Sequence, residues 1–412
     1  MSAPRVSVII PTHNRRVFVV QAIESALAQT YRNFEVIVVD DGSDDGTHEA
    51  IKAYQDKIRY VYLEDNGGAA RARNIGMMHS RGQYVAFLDA DDLMLPRHLA
   101  ELTAMVNADP EIGLVAGSWQ YMDEKGRRLP YEVSPVQPRF DVKSWLYSCP
   151  VVICGVLVSR DWVRAIGGFD ETLERAEEWD LWLRLAHAGC PMAWVPIEVC
   201  AIRLHREQAS RDAVKNKRAI FAFLDRYFAQ RDLPSELRAV EIDVRAHHHF
   251  HQACREYTAG QLDDAKDDLG LAVQLDPSWL SYPPKRALGA LVGWACHPMT
   301  VSSPLEFVDL VLDNLPEEAL PLRELKRKAR VEALAAEYFL AHQAGDRAAV
   351  LRRFGSLAWN SPARLANRGV LSAGVQALVG VTLAGLLRHL WHSASRPFLA
   401  PKTALPRYTA HN

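Results

Sequence analysis

Several features are missing from this 412-residue sequence, and each absence excludes a class of protein. There is no charge imbalance: 48 Lys and Arg stand against 50 Asp and Glu, a formal net charge of −2. No field of one sign therefore steers the whole molecule to nucleic acid, and no nucleic-acid partner is expected. The six cysteines (Cys149, Cys154, Cys190, Cys200, Cys254, Cys296) contain no C-x-x-C pair. Zinc ribbons and thioredoxin-like motifs are thus unsupported, and reduced core residues are expected. Neither a Walker nor a G-x-G-x-x-G pattern occurs, so Gly67-Gly68 reads as a turn. The first apolar run, Val6 to Ile10, is too short for a signal-peptide core and predicts a cytoplasmic protein. With 49% hydrophobic and 24% charged residues, nothing suggests disorder.

What is present is enough chain for two or three domains. Short apolar runs at Val6–Ile10, Phe34–Val39, Ile58–Leu63, Tyr84–Leu88 and Val151–Val158 predict strands, the first ended by Pro11. Helical spacing separates them at Phe18–Gln29 and Ala69–Met78. This alternation predicts an α/β domain over 1–210, its sheet covered on both faces and its ligands at the strands' carboxyl ends. From about residue 211 Ala, Leu, Arg and Glu dominate, which predicts an α-helical domain over 211–412. Within it Gly260 precedes Pro277 by the same interval that separates Gly345 from Pro362. Helix, Gly turn, helix and Pro stop are expected twice, about 247–280 and 332–365, in units that resemble tetratricopeptide hairpins. A protein partner could use that surface.

Four polar clusters follow the strands in order: Pro11-Thr12-His13-Asn14, Asp40-Asp41-Gly42-Ser43-Asp44, Asn66 to Gly76, and Asp89-Ala90-Asp91-Asp92. Two carboxylates at i and i+2 after a buried strand offer the hard oxygen ligands that Mg2+ or Mn2+ prefers. The bland alternative makes them caps of the helix after Pro96, and for Asp92 that reading stands equally. Ser43 and Asp44 read as caps of the next helix, His13 as a bystander.

Taken together, these motifs resemble the family 2 glycosyltransferases over roughly residues 3 to 210. The resemblance implies a GT-A nucleotide-sugar-binding fold, with a Rossmann-like mixed sheet, followed here by the mainly α-helical C-terminal domain. It implies Asp89 and Asp91 at the metal, with the late histidine His205 as a further contact. It also implies donor contacts from Pro11, Thr12, Asn14, Asp41, Arg73 and Asp89, with Asp41 accepting from a uracil N–H and Arg73 facing the diphosphate. Where the family holds Glu-Asp, the second being the general base, this sequence holds Glu177-Glu178. The base position therefore departs from the pattern by one methylene. The implied activity is metal-dependent, inverting hexosyl transfer to a carbohydrate or glycolipid acceptor in cell-surface polysaccharide or glycolipid synthesis. No Trp follows Arg, so the Q-x-x-R-W signature of processive synthases is missing and a non-processive enzyme is expected. Two rival classes remain: a nucleotide-sugar-binding module without turnover, and a helical-repeat interaction scaffold.

Three further features have bland readings. Trp179 and Trp182 read as core rather than sugar platforms. His247, His248, His249 and His251 read as a solvated helix face. Val370 to Leu387 is uncharged but short for a bilayer. From Arg347 onward the chain has nine Arg or Lys and no Asp or Glu. That tail reads as a buried helix, a spanning helix, or a peripheral contact at the inner face of the membrane.

Overall fold

The structure is a computed structural model that describes residues 4–130, 137–205, 208, 212–281, 285–297, 303–362 and 368–379. Two compact units divide the chain near Glu241.

The first unit is built on one sheet of eight strands: β1 (Val6–Thr12), β2 (Phe34–Asp41), β3 (Arg59–Leu63), β4 (Tyr84–Phe87), β5 (Leu93–Met94), β6 (Leu114–Met122), β7 (Val156–Ser159) and β8 (Met192–Arg203). Their order is β3-β2-β1-β4-β7-β6-β8-β5. The first four run parallel, as the strand–helix alternation requires, because each crossover carries a helix back across a face. β7 runs antiparallel to both β4 and β6, which makes the sheet mixed. Side chains alternate between two cores. Val6, Val8, Ile10, Val36 and Val38 meet Val19, Ile23, Leu99 and Leu102 of helices α1 (Arg16–Leu27) and α4 (His98–Ala108). Ile37 and Val39 meet Ala72 of α3 (Gly68–His79), while Ile51 of α2 (Thr47–Ile51) joins the first core. Both faces are buried, which is why these strands read as unbroken apolar runs. A Cβ on Gly76 would lie 2.4 Å from Ile9, so glycine sets how closely α3 approaches β1.

Two strand expectations need correction. Pro11 lies inside β1 rather than ending it, paired in register with Val39. The Val151–Val158 run is a strand only from Val156, since residues 153–155 form a 3-10 turn. The unit is completed by α5 (Val142–Tyr147), α6 (Arg160–Ala165), α7 (Glu177–His187), α8 (Ala213–Phe228) and α9 (Ser235–Arg238). α8 belongs here because Phe223 packs on Trp179, ring centroids 5.3 Å apart.

The second unit is helical among its described residues: α10 (Glu241–Ala259), α11 (Leu262–Leu275), α12 (Lys285–Ala295), α13 (Pro304–Asp313), α14 (Lys326–Gln343), α15 (Arg347–Asn360) and α16 (Arg368–Val379). α10 turns into α11 at Gly260 (φ 76°) and α14 into α15 at Gly345 (φ 73°). Only glycine takes that left-handed angle without strain. The four histidines are not a solvated face. His247 and His248 are buried, the His247 and His251 rings lie 4.3 Å apart, and His249 Nδ1 is 2.7 Å from buried Asp268. Helix α10 is enclosed by α11 and α12, so its polar residues face inward. Of the Val370–Leu387 stretch, Val370, Ala373 and Ala377 pack inward with Tyr338 and Leu357, and residues 380–387 lie outside the described residues. No described helix is long and apolar enough to cross a membrane. All six cysteines are free thiols.

Candidate active site

The strand order reverses at β1, whose neighbours are β2 and β4. Such a switch point opens a crevice at the strands' carboxyl ends. The predicted donor and metal residues gather around it in two groups.

The first group ends β1 and β2. Asp41 spans the gap to α3, its carboxylate accepting from the Gly67 N–H (3.0 Å) and the Gly68 N–H (2.7 Å). Asp40 accepts from the Ser43 N–H and the Tyr60 hydroxyl. Asn14 adopts φ 51°, its N–H donating to Ser43 Oγ while its Oδ1 accepts from the Asp44 N–H. Ser43 and Asp44 therefore zip two loops together rather than cap a helix, and Asp45 serves the start of α2 by accepting from the Thr47 N–H. His13 Nδ1 lies 2.8 Å from the Asp41 carbonyl. Thr12 is buried, its hydroxyl without a protein partner.

The second group joins β4, α3 and α7. Arg73, fully buried, donates from Nη2 to Asp89 (2.7 Å) and from Nη1 to Glu177 (2.5 Å). Its guanidinium lies over the Phe169 ring, 5.5 Å from the centroid. One cation thus ties the strand-four carboxylate to the first residue of α7. Asn74, next along α3, clamps the Gly168–Glu171 loop through both Phe169 backbone groups and Glu171. Glu178 is half-buried. Burial and the neighbouring Glu177 push its carboxyl up to about 8, against the pull of Arg73. Ala176, two residues before it, adopts φ 59° without being glycine. Asn14 and Ala176 are the two non-glycine residues with positive φ among the described residues, and both border the crevice. Strain of this kind clusters at functional sites.

Asp91 pairs with His205, its Oδ2 3.0 Å from Nε2. Burial raises its carboxyl, but the His205 hydrogen bond and charge outweigh that and hold it below the ordinary range. Asp89 is pushed up by burial despite Arg73, with Asp91 adding to the rise. Asp92, buried, is pushed well up by burial and by both neighbours, and accepts from the Arg203 N–H at 2.8 Å. None of the three caps a helix, because α4 starts at His98 with no side-chain cap.

Arg203 is the buried cation beside this group that reading the motifs missed. It is fully buried at the end of β8, donating from Nε to the Asp91 carbonyl, from Nη1 to the Glu124 carbonyl and from Nη2 to Gln21. A lone cation ending the otherwise apolar run of Val199 to Ile202 was the available signal. Trp179 and Trp182 are buried core residues, as expected.

Among the described residues no three His, Cys, Asp or Glu side chains form a ready metal cage. The donor set nevertheless suits a hard cation that shares its ligands with a phosphate. Asp91 Oδ2 and His205 Nε2, hydrogen-bonded to each other at 3.0 Å, are the atoms that would turn to such a cation.

Comparison with known proteins shows what part of the chain is similar to them. Residues 7–167 match the family model "Glycosyl transferase family 2". The likeness to that family covers this segment, less than half of the chain. An uncharacterized glycosyltransferase of Rickettsia felis is 34% identical over 215 residues, covering 50% of this chain and 35% of that protein. One from Rickettsia typhi is 36% identical over 193 residues, covering 44% and 58%. The putative teichuronic acid biosynthesis glycosyltransferase TuaG of Bacillus subtilis is 46% identical over 92 residues, covering 22% and 36%. The chain thus spans less than two thirds of these relatives. Among solved structures, the mannosyltransferase PcManGT of Pyrobaculum calidifontis, in complex with GDP-Man and Mn2+, is 20% identical with a TM-score of 0.49, covering 76% of this chain and 88% of that one. The mixed sheet followed by helices is the architecture expected from the sequence. The motifs after β1 to β4 all fall inside the matched segment, while Glu177, Glu178 and His205 lie beyond it.

Proposed function

We propose that this chain, through a catalytic domain covering residues 1–210, transfers one hexosyl unit with inversion from a uridine diphosphate sugar to an acceptor hydroxyl. The observation that supports the reading is the Arg73 bridge, which ties Asp89 to Glu177 at the start of α7, the residue next to Glu178. Asp91 and His205, with Asp89 beside them, would hold Mn2+ or Mg2+, whose chemistry is to neutralise charge on the departing diphosphate. Pro11, Thr12, Asn14 and Asp41 line the nucleoside side, where the unpartnered Thr12 hydroxyl offers a donor and acceptor. Asp41 lends structure to α3 with the same carboxylate that would meet the base. Arg73 orients both carboxylates and adds positive potential where the diphosphate would lie.

Glu178 is the general base. It accepts the acceptor hydroxyl's proton as that oxygen bonds to the anomeric carbon and the sugar–phosphate bond breaks. The leaving group is already good, so no covalent intermediate is required. The similarity to TuaG supports a carbohydrate or glycolipid acceptor in cell-surface polysaccharide synthesis. The two helical hairpins, read as tetratricopeptide-like, would offer a protein-partner surface.

The test is release of nucleoside diphosphate with Mn2+, donor and acceptor. Asp91→Ala should lower it on the order of 10^3-fold. Wild-type protein that binds donor and cation yet turns over no acceptor would replace this reading with a binding module.

A further inference from the structure

His205 stands two residues past the end of β8, where the sheet no longer holds the chain. Just before it the Leu204 N–H still donates to the Met122 carbonyl, at 2.9 Å. The imidazole itself needs another support. Beside it lies Phe18 of α1, ring centroids 5.6 Å apart and planes tilted by 34°. Phe18 in turn carries the Arg203 guanidinium, 4.8 Å from its ring centroid. That guanidinium donates from Nη2 to Gln21, one turn along α1, and from Nε to the Asp91 carbonyl, both at 2.8 Å. Asp91, Arg203, Phe18 and His205 therefore form a closed circuit of contacts, completed by the Asp91–His205 hydrogen bond. Arg203 is buried, and the acceptors of its side chain are neutral amide or carbonyl oxygens. A guanidinium stripped of water in this way gains most from an aromatic face.

We propose that Phe18, seated on Arg203, is a positioning residue that sets the His205 imidazole against Asp91 for a divalent cation. The inference rests on the metal reading given above. A ligand histidine works best when groups outside the ligand set fix its ring, and losing such a group weakens metal affinity about 10- to 100-fold. An aromatic ring held by a buried cation serves that end here. Phe18 is half-buried, while Val19, Ala22 and Ile23 supply the buried face of α1. Replacing Phe18 therefore leaves the packing of the helix in place.

Phe18→Leu keeps an apolar side chain without a ring, and Phe18→Tyr keeps the ring. In the metal-free full chain, the His205 ring-proton resonances should shift with leucine, as the ring current is lost, and stay in place with tyrosine. Mn2+ affinity in the presence of UDP, followed by electron paramagnetic resonance, should weaken about tenfold with leucine and hold with tyrosine. The apparent KM for Mn2+ should rise in step, while turnover at saturating Mn2+ is largely kept. Arg203→Lys, which keeps the charge but loses the planar fork, should move both readouts in the leucine direction. Unchanged His205 resonances or Mn2+ affinity in Phe18→Leu would overturn the proposal, as would a tyrosine variant as weak as the leucine one. Wild-type protein without Mn2+ affinity would overturn it together with the metal reading. Wild-type protein that binds Mn2+, shows these shifts and transfers no sugar would overturn the proposed reaction alone.

Discussion

The two units use buried charge differently. In the sheet unit Arg73, Asp89, Glu177, Asp91, Asp92 and Arg203 converge on the carboxyl end of a few strands, next to strained Asn14 and Ala176. In the helical unit the buried polar groups are spread out, and some of them join one helix to another. His249 of α10 meets Asp268 of α11, and Glu337 of α14 accepts from Ser303 and the Leu305 N–H at the start of α13. Concentrated charge with incomplete mutual satisfaction is expected of a place that binds something. Dispersed, pairwise charge is expected of a scaffold, where each pair specifies a packing partner.

The comparison can be broken in three ways. The largest effect should come from Glu178→Gln, which removes the base without changing shape. Turnover should fall 10²- to 10⁴-fold, on the order expected for a lost proton acceptor, while donor affinity, measured by calorimetry, stays within error. In the wild type, turnover should rise with pH through about 8 as Glu178 loses its proton. Because its folded carboxyl is raised above the ordinary value, the protonated fold is favoured. This group's contribution to stability should therefore be fully present at low pH and lost as pH rises toward 8. A turnover profile flat from pH 6 to 9, values set by that same titration, would remove Glu178 from the role.

Arg73→Met tests stability. It leaves Asp89 and Glu177 buried without their cation and should cost about 3–5 kcal/mol in urea unfolding. His249→Ala in the helical unit, which leaves Asp268 short of one partner, should cost about 1–3 kcal/mol. Equal costs would mean that the strand-end cluster is not electrostatically special. The smallest effects concern backbone. Ala176→Gly should stabilise by about 1 kcal/mol because the left-handed angle no longer strains a side chain, and turnover should fall as α7 loosens. Gly260→Ala should destabilise by about 1 kcal/mol with turnover intact. An Ala176→Gly enzyme as active as wild type would show that the strain is incidental.

Much of the first unit was legible because its signals are local. Continuous apolar strands and polar clusters after the first four of them are all read within a few residues. Arg203 was illegible for the opposite reason. It acts through Asp91, Glu124 and Gln21, which are far away in sequence. The histidines of α10 were misjudged because a helix pattern shows which residues share a face but not what covers it. Ser43 and Asp44 were assigned to a helix cap since their true partner, Asn14, comes from another loop.

The sequence by itself determined the element types, the turns that require glycine and the chemistry available at each strand end, because these follow from periodicity and side-chain type. Only the tertiary structure decided which carboxylate faces which cation. Arg73 could have served a ligand, a single acid or a helix end, and the crossing of α3 between β4 and α7 made it a bridge. Pairing across long sequence separations is set by packing, and packing has no local signature.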